Sequence, residues 1–480
     1  MFKRACFPRA NHFQERPFMK NKLISSLLLL ALGSVLMSAT IDLDNLFNYA
    51  NQDIPDYISN DNTDGNPIND KAATLGRVLF YDKNLSSDGT IACASCHHQD
   101  RAFGDPNVQS IGVNGLTARH SPRLVNTRFS REVHFFWDER AETLEAQTTM
   151  PIQDHVEMGY SGANGDPSIE NLINHLEGIE YYNTLFGFAF GDTEITENRM
   201  QLALAQFLRS IQSFDSRFDE GFMQVSNTSE PFPNFTDQEN RGKHLFINTP
   251  DAGTGCADCH NPPEFSIGIH SQNNGVITVA GIPGEIDLTI TNPPSLRNLV
   301  NPDGSLNSPL MHDGSFTSLL EVINHYNNIP NNPANTNLDT RLTDVNGEPQ
   351  QLNLTEGQKQ DLVAFLKTLS GTDIYTNEKW SDPFNPDGSI NIIGGTLGIS
   401  EESLNPFISV TPNPVIHNAT IETNLGHFKI WVYDNTGKLL FQKQANKQTI
   451  LDFSSIATGL YFAKITTENG MQITKRILKK

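Results

Sequence analysis

Cysteine is scarce in this sequence, which excludes a protein held together by disulfides. Only five cysteines occur among the 480 residues, and four of them form two Cys-x-x-Cys pairs. The fifth, Cys6, lies in an N-terminal segment that we expect to be absent from the mature protein. If the two pairs serve another purpose, no cysteine is left for a disulfide framework.

Long apolar runs are also lacking beyond the N-terminus. The mostly apolar segment Leu23–Met37 follows a basic start and ends at small residues suited to signal peptidase. It is too short for a transmembrane helix, and nothing basic follows it directly. We therefore predict a leader over residues 1–39, with the signal peptide at about 19–39. The mature protein is expected to be exported to the periplasm, the cell surface or the medium.

Basic residues are too few to balance the acidic ones, and the formal net charge is -21. Both ends are basic: Met1–Ala39 has six basic residues and one acidic, and Phe407–Lys480 has nine and four. Each end therefore carries +5, and Thr40–Pro406 carries -31. Such a field disfavours nucleic acid and anionic membranes and favours a basic partner such as a small c-type cytochrome. Solubility alone is the alternative explanation for this charge.

The pattern Cys-x-x-Cys-His, by contrast, occurs twice. In this pattern the two thiols attach covalently to a haem and the adjacent imidazole reaches the iron. Cys-x-x-Cys pairs also bind zinc, but zinc does not explain a histidine directly after both pairs. We predict two covalently bound haem c groups. The residues that would hold them are Cys93, Cys96 and His97 for the first haem and Cys256, Cys259 and His260 for the second.

Apolar residues recur at helical spacing in two places, one after each haem motif. One face runs from Leu204 to Phe218, and another runs from Leu362 to Leu369 behind a capping box that begins at Thr355. Little of the alternation typical of strands occurs before residue 405. This part of the chain is therefore predicted to be mostly helical, with long loops.

The pattern changes at Phe407, where alternating runs and the turn sequence Asp434–Gly437 predict strands. We expect a small all-β sandwich. Its Pro-Asn-Pro opening at 412–414, its Asp-x-x-Gly-Lys turn and its Gly-Leu-Tyr strand at 459–461 resemble the type IX secretion C-terminal sorting domain. The resemblance implies that the secretion machinery is a partner. A carbohydrate-binding or adhesive sandwich is the alternative, but no aromatic platform is obvious.

The chain around and between the haem motifs contains further specific motifs. Phe136–Ala141 reads Phe-Trp-Asp-Glu-Arg-Ala, and others follow at Leu144–Gln147, Pro151, Val156–Met158, Pro294–Asn298 and Met311–Ser315. In these motifs the chain, from about Ala73 to Phe384, resembles the bacterial di-haem cytochrome c peroxidase family, including its MauG-like branch. Glu139 stands where the family's motif has glycine.

The resemblance implies that the first haem is the peroxidatic one. Glu157 corresponds to the distal carboxylate, which moves a proton from the near to the far oxygen of peroxide as base and acid in turn. Gln147 would orient the peroxide, while Phe136 and Pro151 would shape the pocket. Trp137 matches the tryptophan between the haems, where an indole shortens the electron path. Core packing is the simpler role for an isolated tryptophan.

Two positions depart from the peroxidases that require reductive activation. Val113 stands where those proteins carry a histidine that blocks the first haem, so we expect that haem to be permanently open. Tyr326 stands where the second haem has a distal methionine, as in MauG-like proteins; Met311 and His325 are competing ligands. The resemblance also implies a calcium ion between the domains, although His120 stands where the family usually has asparagine.

The predicted architecture is mostly α, with two cytochrome c-type haem domains followed by a small all-β sandwich. In chain order the predicted parts are a leader at 1–39, an N-terminal peroxidatic haem domain at 40–235, a C-terminal electron-transfer haem domain at 236–386, a linker at 387–406 and a sorting domain at 407–480.

Three functions agree with these patterns. The first is a cytochrome-c peroxidase that reduces hydrogen peroxide to water with electrons from a c-type cytochrome or a similar donor. The second is a MauG-like oxidase that acts on a protein or organic substrate, for which Tyr326 is the motivating residue. The third is a non-enzymatic di-haem electron carrier, which would need neither Glu157 nor the non-ligating Val113.

Overall fold

The computed structural model describes residues 40–131, 134–249, 253–266, 270–395, 408–467 and 472–480. The chain divides into two compact units, residues 1–394 and 395–480. The predicted leader and Cys6 lie outside the described residues, as does most of the predicted linker. Among the described residues, no helix is both long enough and apolar enough to cross a membrane.

The described part of the first unit contains nine α-helices and only short strands. The helices are α1 (Asp70–Tyr81), α2 (Leu144–Thr149), α3 (Ile169–Glu177), α4 (Glu180–Phe190), α5 (Glu197–Ser210), α6 (Arg217–Phe222), α7 (Asp237–Ile247), α8 (Leu319–Asn327) and α9 (Glu356–Lys367). The strands are β1 (Thr40–Asp42), β2 (Ile111–Gly112), β3 (Gly115–Leu116), β4 (Thr278–Val279), β5 (Ile282–Ile286) and β6 (Asn391–Ile393). The prediction of a helical core is confirmed.

Two pairs of closely packed helices underlie the two hydrophobic cores of this unit. α1 lies against α5 at Gly76, where a Cβ would collide with the backbone of Ala203. α7 lies against α9 at Gly242, where a Cβ would collide with the backbone of Asp361. Only glycine allows backbones to approach this closely. The capping box predicted at Thr355 is present at the start of α9.

The helix predicted to run from Leu204 to Phe218 ends earlier, so that part of the prediction is wrong. α5 stops at Ser210 because the chain then turns away, and the Asn126 side chain exchanges two hydrogen bonds with the backbone of Ser213. Phe218 belongs to α6 and is buried in the second core. The apolar pattern in the sequence does not reveal this break, because the residues before it are buried in the first core and Phe218 after it is buried in the second.

Contacts that are distant in sequence join the parts of the first unit. Arg297 is fully buried and forms an ion pair of 2.9 Å with Asp219, which also accepts a hydrogen bond from Tyr57. The C-terminal part of the unit returns to the first core, where Trp380 donates to the carbonyl oxygen of Ser210. The segments 40–42 and 391–393 pair as the parallel strands β1 and β6.

The described part of the second unit is all-β, as predicted. Its strands are β7 (Ile408–Thr411), β8 (Asn418–Tyr433), β9 (Leu439–Asp452), β10 (Gly459–Thr467) and β11 (Gln472–Lys479). Hydrogen bonds join them in the order β11, β10, β8, β7, and β9 also pairs with β8. The predicted hairpin turn joins β8 to β9, where the Asp434 carboxylate accepts from the backbone of Thr436 and Lys438.

Candidate active site

An open cavity lies beside the first Cys-x-x-Cys-His motif, with about 660 Å³ of space when the solvent at its mouth is included. Residues Cys93–Ser95 form one short 3-10 turn, and the backbone of Cys96 and of His97 donates to the carbonyl oxygen of Cys93. This turn brings both thiols and the imidazole to the same cavity. His97 Nδ1 lies 3.1 Å from the carbonyl oxygen of Phe103. Because a carbonyl only accepts, Nδ1 carries the proton and Nε2 is left to bind a metal.

The second motif is built in the same way. Residues Cys256–Asp258 form a 3-10 turn, and His260 Nδ1 lies 3.4 Å from the carbonyl oxygen of Phe265. Cys256, Cys259 and His260 line a second open cavity, with about 1480 Å³ of space when the solvent at its mouth is included. Burial lowers the pKa of both His97 and His260 to about 4, so each imidazole is neutral at pH 7.

These two cavities fit the predicted haem groups. Each cavity presents two thiols and a neutral imidazole, which is the set of side chains that covalent haem attachment uses. Cys93, Cys96 and His97 would hold one haem c, and Cys256, Cys259 and His260 the other.

Glu157 lines the first cavity together with the motif. Its backbone N–H donates to the carboxylate of Asp154 at 3.0 Å, and its carbonyl oxygen accepts from the backbone N–H of Val113 at 3.0 Å. These bonds hold the turn that carries Glu157 against the β2–β3 hairpin. Burial raises the pKa of Glu157 to about 7; the nearby Asp154 charge also raises it, and Arg140 lowers it. Both protonation states of this carboxyl are therefore populated near neutral pH.

Gln147 and Pro151 also line the first cavity. Gln147 lies on α2, whose first turn is capped by the side chain of Thr143, and Pro151 follows the end of that helix. Phe136 is not among the residues that line this cavity. Its ring instead packs under the guanidinium of Arg140, at 3.6 Å from Cζ to the ring centroid.

His97 is the only histidine among the described residues that line the first cavity. Val113 lies at the tip of the β2–β3 hairpin, next to Glu157 in space. His120 lines the second cavity instead. Its Nδ1 lies 2.9 Å from the carbonyl oxygen of Asn107, and its buried Nε2 has no hydrogen-bond partner. Among the described residues, no second imidazole therefore lines the first cavity.

Trp137 lies on the wall of the second cavity. Its Nε1 donates to the carbonyl oxygen of His120 at 2.6 Å, and its ring lies 6.3 Å from that of His312. The next residue after His120 is Ser121, which lines both cavities. Sequence reasoning missed Ser121, because a serine in a loop has no periodic or motif signal of its own.

Tyr326 and Met311 both line the second cavity, whereas His325 does not. Tyr326 lies on α8, and burial raises the pKa of its phenol, with a further contribution from the Cys259 thiol. The neighbouring His325 turns away, with Nε2 3.0 Å from the carbonyl oxygen of Asn274. Of the three candidate ligands, two therefore reach the cavity.

The second cavity also contains charged residues that the sequence analysis missed. Arg123 donates to the carbonyl oxygen of Ser295 at 3.1 Å, and burial lowers its pKa to about 10. Arg341 forms an ion pair of 2.6 Å with Asp339. These residues lie in loops without periodicity, so only the fold brings them to the cavity.

Comparison with known proteins agrees with this geometry. Residues 70–227 match the family model described as di-haem cytochrome c peroxidase, and residues 409–480 match the secretion system C-terminal sorting domain. The methylamine utilization protein MauG of Methylophilus methylotrophus is 31% identical over 315 residues, which cover 64% of this chain and 84% of that protein. Cytochrome c551 peroxidase of Nitrosomonas europaea is 29% identical, with 64% of this chain and 81% of that protein covered.

A solved structure shares the fold of the first unit. It is the crystal structure of a MauG-like protein associated with microbial copper homeostasis, at a TM-score of 0.55 and 30% identity. The match covers 69% of this chain and 99% of that one.

Proposed function

Because this chain belongs to the di-haem cytochrome c peroxidase family, we propose that it reduces hydrogen peroxide to water with electrons from a small c-type cytochrome or a similar donor. The observation that carries the proposal is that Glu157 and Gln147 line the same cavity as Cys93, Cys96 and His97. An electron carrier needs no ionisable carboxyl with a pKa near 7 in that place.

The residues of the first cavity would move the protons of the reaction. Two haem c groups, when bound, supply the redox-active iron. Reduction of one peroxide to two waters consumes two electrons and two protons, and the first proton must pass from the near oxygen to the far one so that water leaves. The carboxylate of Glu157 takes that proton and returns it, for which a pKa near the working pH is best. The side-chain amide of Gln147 would orient the peroxide by hydrogen bonding.

The first haem would be open without activation. Val113 has no group that can ligate a metal, and His120 lies on the second cavity. Peroxide could then enter as soon as the ferric protein is formed, with no blocking ligand to release.

Electrons would enter through the second haem and pass by Trp137. The indole lies on the second cavity and is hydrogen-bonded to the residue before Ser121, which belongs to both cavities. The net charge of -31 on Thr40–Pro406 suits a basic cytochrome as the donor.

A MauG-like reaction on a protein or organic substrate is the second candidate. Tyr326 supports it, because the tyrosine lines the second cavity. A phenolate ligand stabilises the ferric and higher states and lowers the potential, whereas methionine raises it. The proposed ligand is Tyr326, with Met311 as the competitor.

The sorting domain at 409–480 indicates export of the protein. We propose that the mature chain, without residues 1–39, carries two cytochrome c-type haem domains at 40–235 and 236–386 and a β-sandwich at 407–480 that the secretion machinery recognises. Its final place would be the periplasm, the cell surface or the medium. A calcium ion between the haem domains is part of the same proposal.

The test is steady-state turnover of the haem-loaded protein with reduced cytochrome c and hydrogen peroxide. A peroxidase oxidises two equivalents of cytochrome for each peroxide consumed. A MauG-like oxidase would instead consume peroxide in step with oxidation of an added substrate. A fully haem-loaded protein that turns over neither would contradict both proposals and favour the carrier.

A further inference from the structure

Three potential metal ligands lie together outside both haem cavities. One ligand atom from each of His134, Glu139 and His270 lies within 4.8 Å of the other two. Among the described residues, this is the only cluster of three such side chains. None of the three lines either haem cavity, so the cluster is separate from the proposed peroxidase site.

Glu139 is hydrogen-bonded within the cluster and to the residue after His270. Its Oε2 lies 2.8 Å from His270 Nδ1, and its Oε1 accepts from the backbone N–H and the hydroxyl of Ser271 at 3.3 and 3.4 Å. The Glu139 side chain is 8% exposed, whereas that of His270 is 66% exposed. An ion could therefore enter from solvent and meet a carboxylate already fixed in place.

His134 is the third member of the cluster. Its ring centroid lies 5.2 Å from that of His270. Its Nδ1 is buried and has no hydrogen-bond partner. A buried polar atom without a partner is costly, and a metal ion bound to His134 Nδ1 would remove that cost.

The backbone at Glu139 gives a second argument. Its φ is +58°, a left-handed conformation that glycine adopts freely and that is strained for glutamate. The resembling family motif has glycine at this position. This chain therefore has a glutamate at a position where the backbone conformation favours glycine, and the carboxylate of that glutamate lies beside two histidines.

From this geometry we propose that His134, Glu139 and His270 bind one first-row divalent transition-metal ion. Two imidazoles and one carboxylate suit ferrous iron, copper, zinc or nickel, whereas calcium and magnesium prefer oxygen ligands alone. Three protein ligands leave at least one position for water.

A bound ion would also fix the segment that carries Trp137. His134 and Glu139 flank Trp137 in the chain, and the backbone N–H of Asn292 donates to the Trp137 carbonyl oxygen at 2.7 Å. The ion would tie this segment to His270. It would therefore act as a positioning element for an indole on the second cavity.

The test uses the full-length, haem-loaded protein, prepared without a histidine tag and freed of loosely bound metal. Cu²⁺ is added alone and followed by calorimetry and by electron paramagnetic resonance in the copper region, with Zn²⁺ as the competitor. We expect the protein to bind one equivalent of Cu²⁺, whose signal shows superhyperfine splitting from two nitrogens. Added Zn²⁺ should displace this Cu²⁺. Absence of stoichiometric binding, or copper without nitrogen splitting, would overturn the proposal.

Variants locate the ion. Glu139→Gly removes the carboxylate and relieves the positive φ, so the fold is retained; His134→Gln removes one imidazole. Each should weaken Cu²⁺ binding by at least about 10–100-fold, the loss that changing even an outer-shell partner produces. The matched control is His155→Gln, since His155 also pairs with a carboxylate, Asp166, at 2.8 Å but belongs to no such cluster. Unchanged binding in both site variants, or equal loss in the control, would overturn the assignment whether or not the protein is a peroxidase.

Discussion

The indole Nε1 of Trp137 donates a hydrogen bond of 2.6 Å to the backbone carbonyl of His120. This contact joins a residue on the wall of the second cavity to the residue that precedes Ser121, which lines both cavities. We propose that this connection lies on the electron path between the two candidate haem sites.

Replacing Trp137 should slow electron transfer between the haems. Trp137→Phe keeps an aromatic ring but leaves the His120 carbonyl without its donor, which costs about 1–3 kcal/mol when the group is buried. We expect slower turnover with reduced cytochrome c and unchanged haem content. Trp380→Phe is the matched control, because Trp380 is also buried and also donates to a backbone carbonyl, that of Ser210, but lines neither cavity. Equal slowing in both variants would show that the effect is one of stability.

The pH dependence of turnover should report Glu157. Its pKa is raised to about 7, chiefly by burial, and the ionised form is the one that can take a proton from peroxide. The rate should therefore fall as the pH drops through about 7. Measurement of the initial rate at saturating donor between pH 5 and 9 checks this, and a rate independent of pH across that range would contradict it.

The same pKa shift has an opposite consequence for stability. A carboxyl whose folded-state pKa lies above its ordinary value of 4.5 destabilises the fold once it ionises. The penalty is absent well below pH 4.5, grows between the two pKa values and is complete above about pH 7. At pH values above 7, Glu157→Gln should therefore raise the denaturant concentration at the unfolding midpoint. This gain in stability should shrink as the pH is lowered.

The sequence located the residues of the candidate site better than it located the tertiary contacts. The two haem motifs are short-range patterns, and Glu157 and Gln147 are expected from the family resemblance; the fold brings each of them to a cavity. The capping box at Thr355 is local as well. The end of α5 is not, because it depends on a contact between Asn126 and Ser213.

Other features depend on contacts that no local pattern encodes. Trp380, which is far from Ser210 in the sequence, lies in the first core and donates a hydrogen bond to the carbonyl oxygen of Ser210. Ser121 is an ordinary loop residue until the fold places it between two cavities. The metal-ligand cluster joins His134 and Glu139 to His270, and its only trace in the sequence is the glutamate at the family's glycine position.

The ferric protein should react with peroxide without prior reduction. Among the described residues of the first cavity, only His97 can supply an imidazole, so one iron should have an open position. Electron paramagnetic resonance of the purified protein should show a high-spin signal that peroxide removes at once. A wholly low-spin protein that reacts only after one-electron reduction would contradict this account.

The potential of the second haem should depend on Tyr326. If its phenolate binds there, Tyr326→Met should raise the reduction potential, because methionine favours the reduced state relative to a hard anionic donor. Redox titration followed by optical spectra measures this. His325→Gln is the control, since His325 faces Asn274 and does not line the cavity. No change in Tyr326→Met would assign the position to Met311 or leave it without a protein ligand.

The most direct test of the peroxidase proposal is the turnover of Glu157→Gln. Glutamine keeps the size and much of the hydrogen bonding of glutamate but cannot carry a proton, so turnover should fall by about 10²–10⁴-fold. Gln147→Ala should cost less, because Gln147 would only orient the peroxide. The control is Glu264→Gln, another buried glutamate whose pKa is raised by burial but which lines neither cavity. When every variant retains two haems, we expect Glu157→Gln to lose turnover and Glu264→Gln to keep it. Parent-level turnover in Glu157→Gln would contradict it.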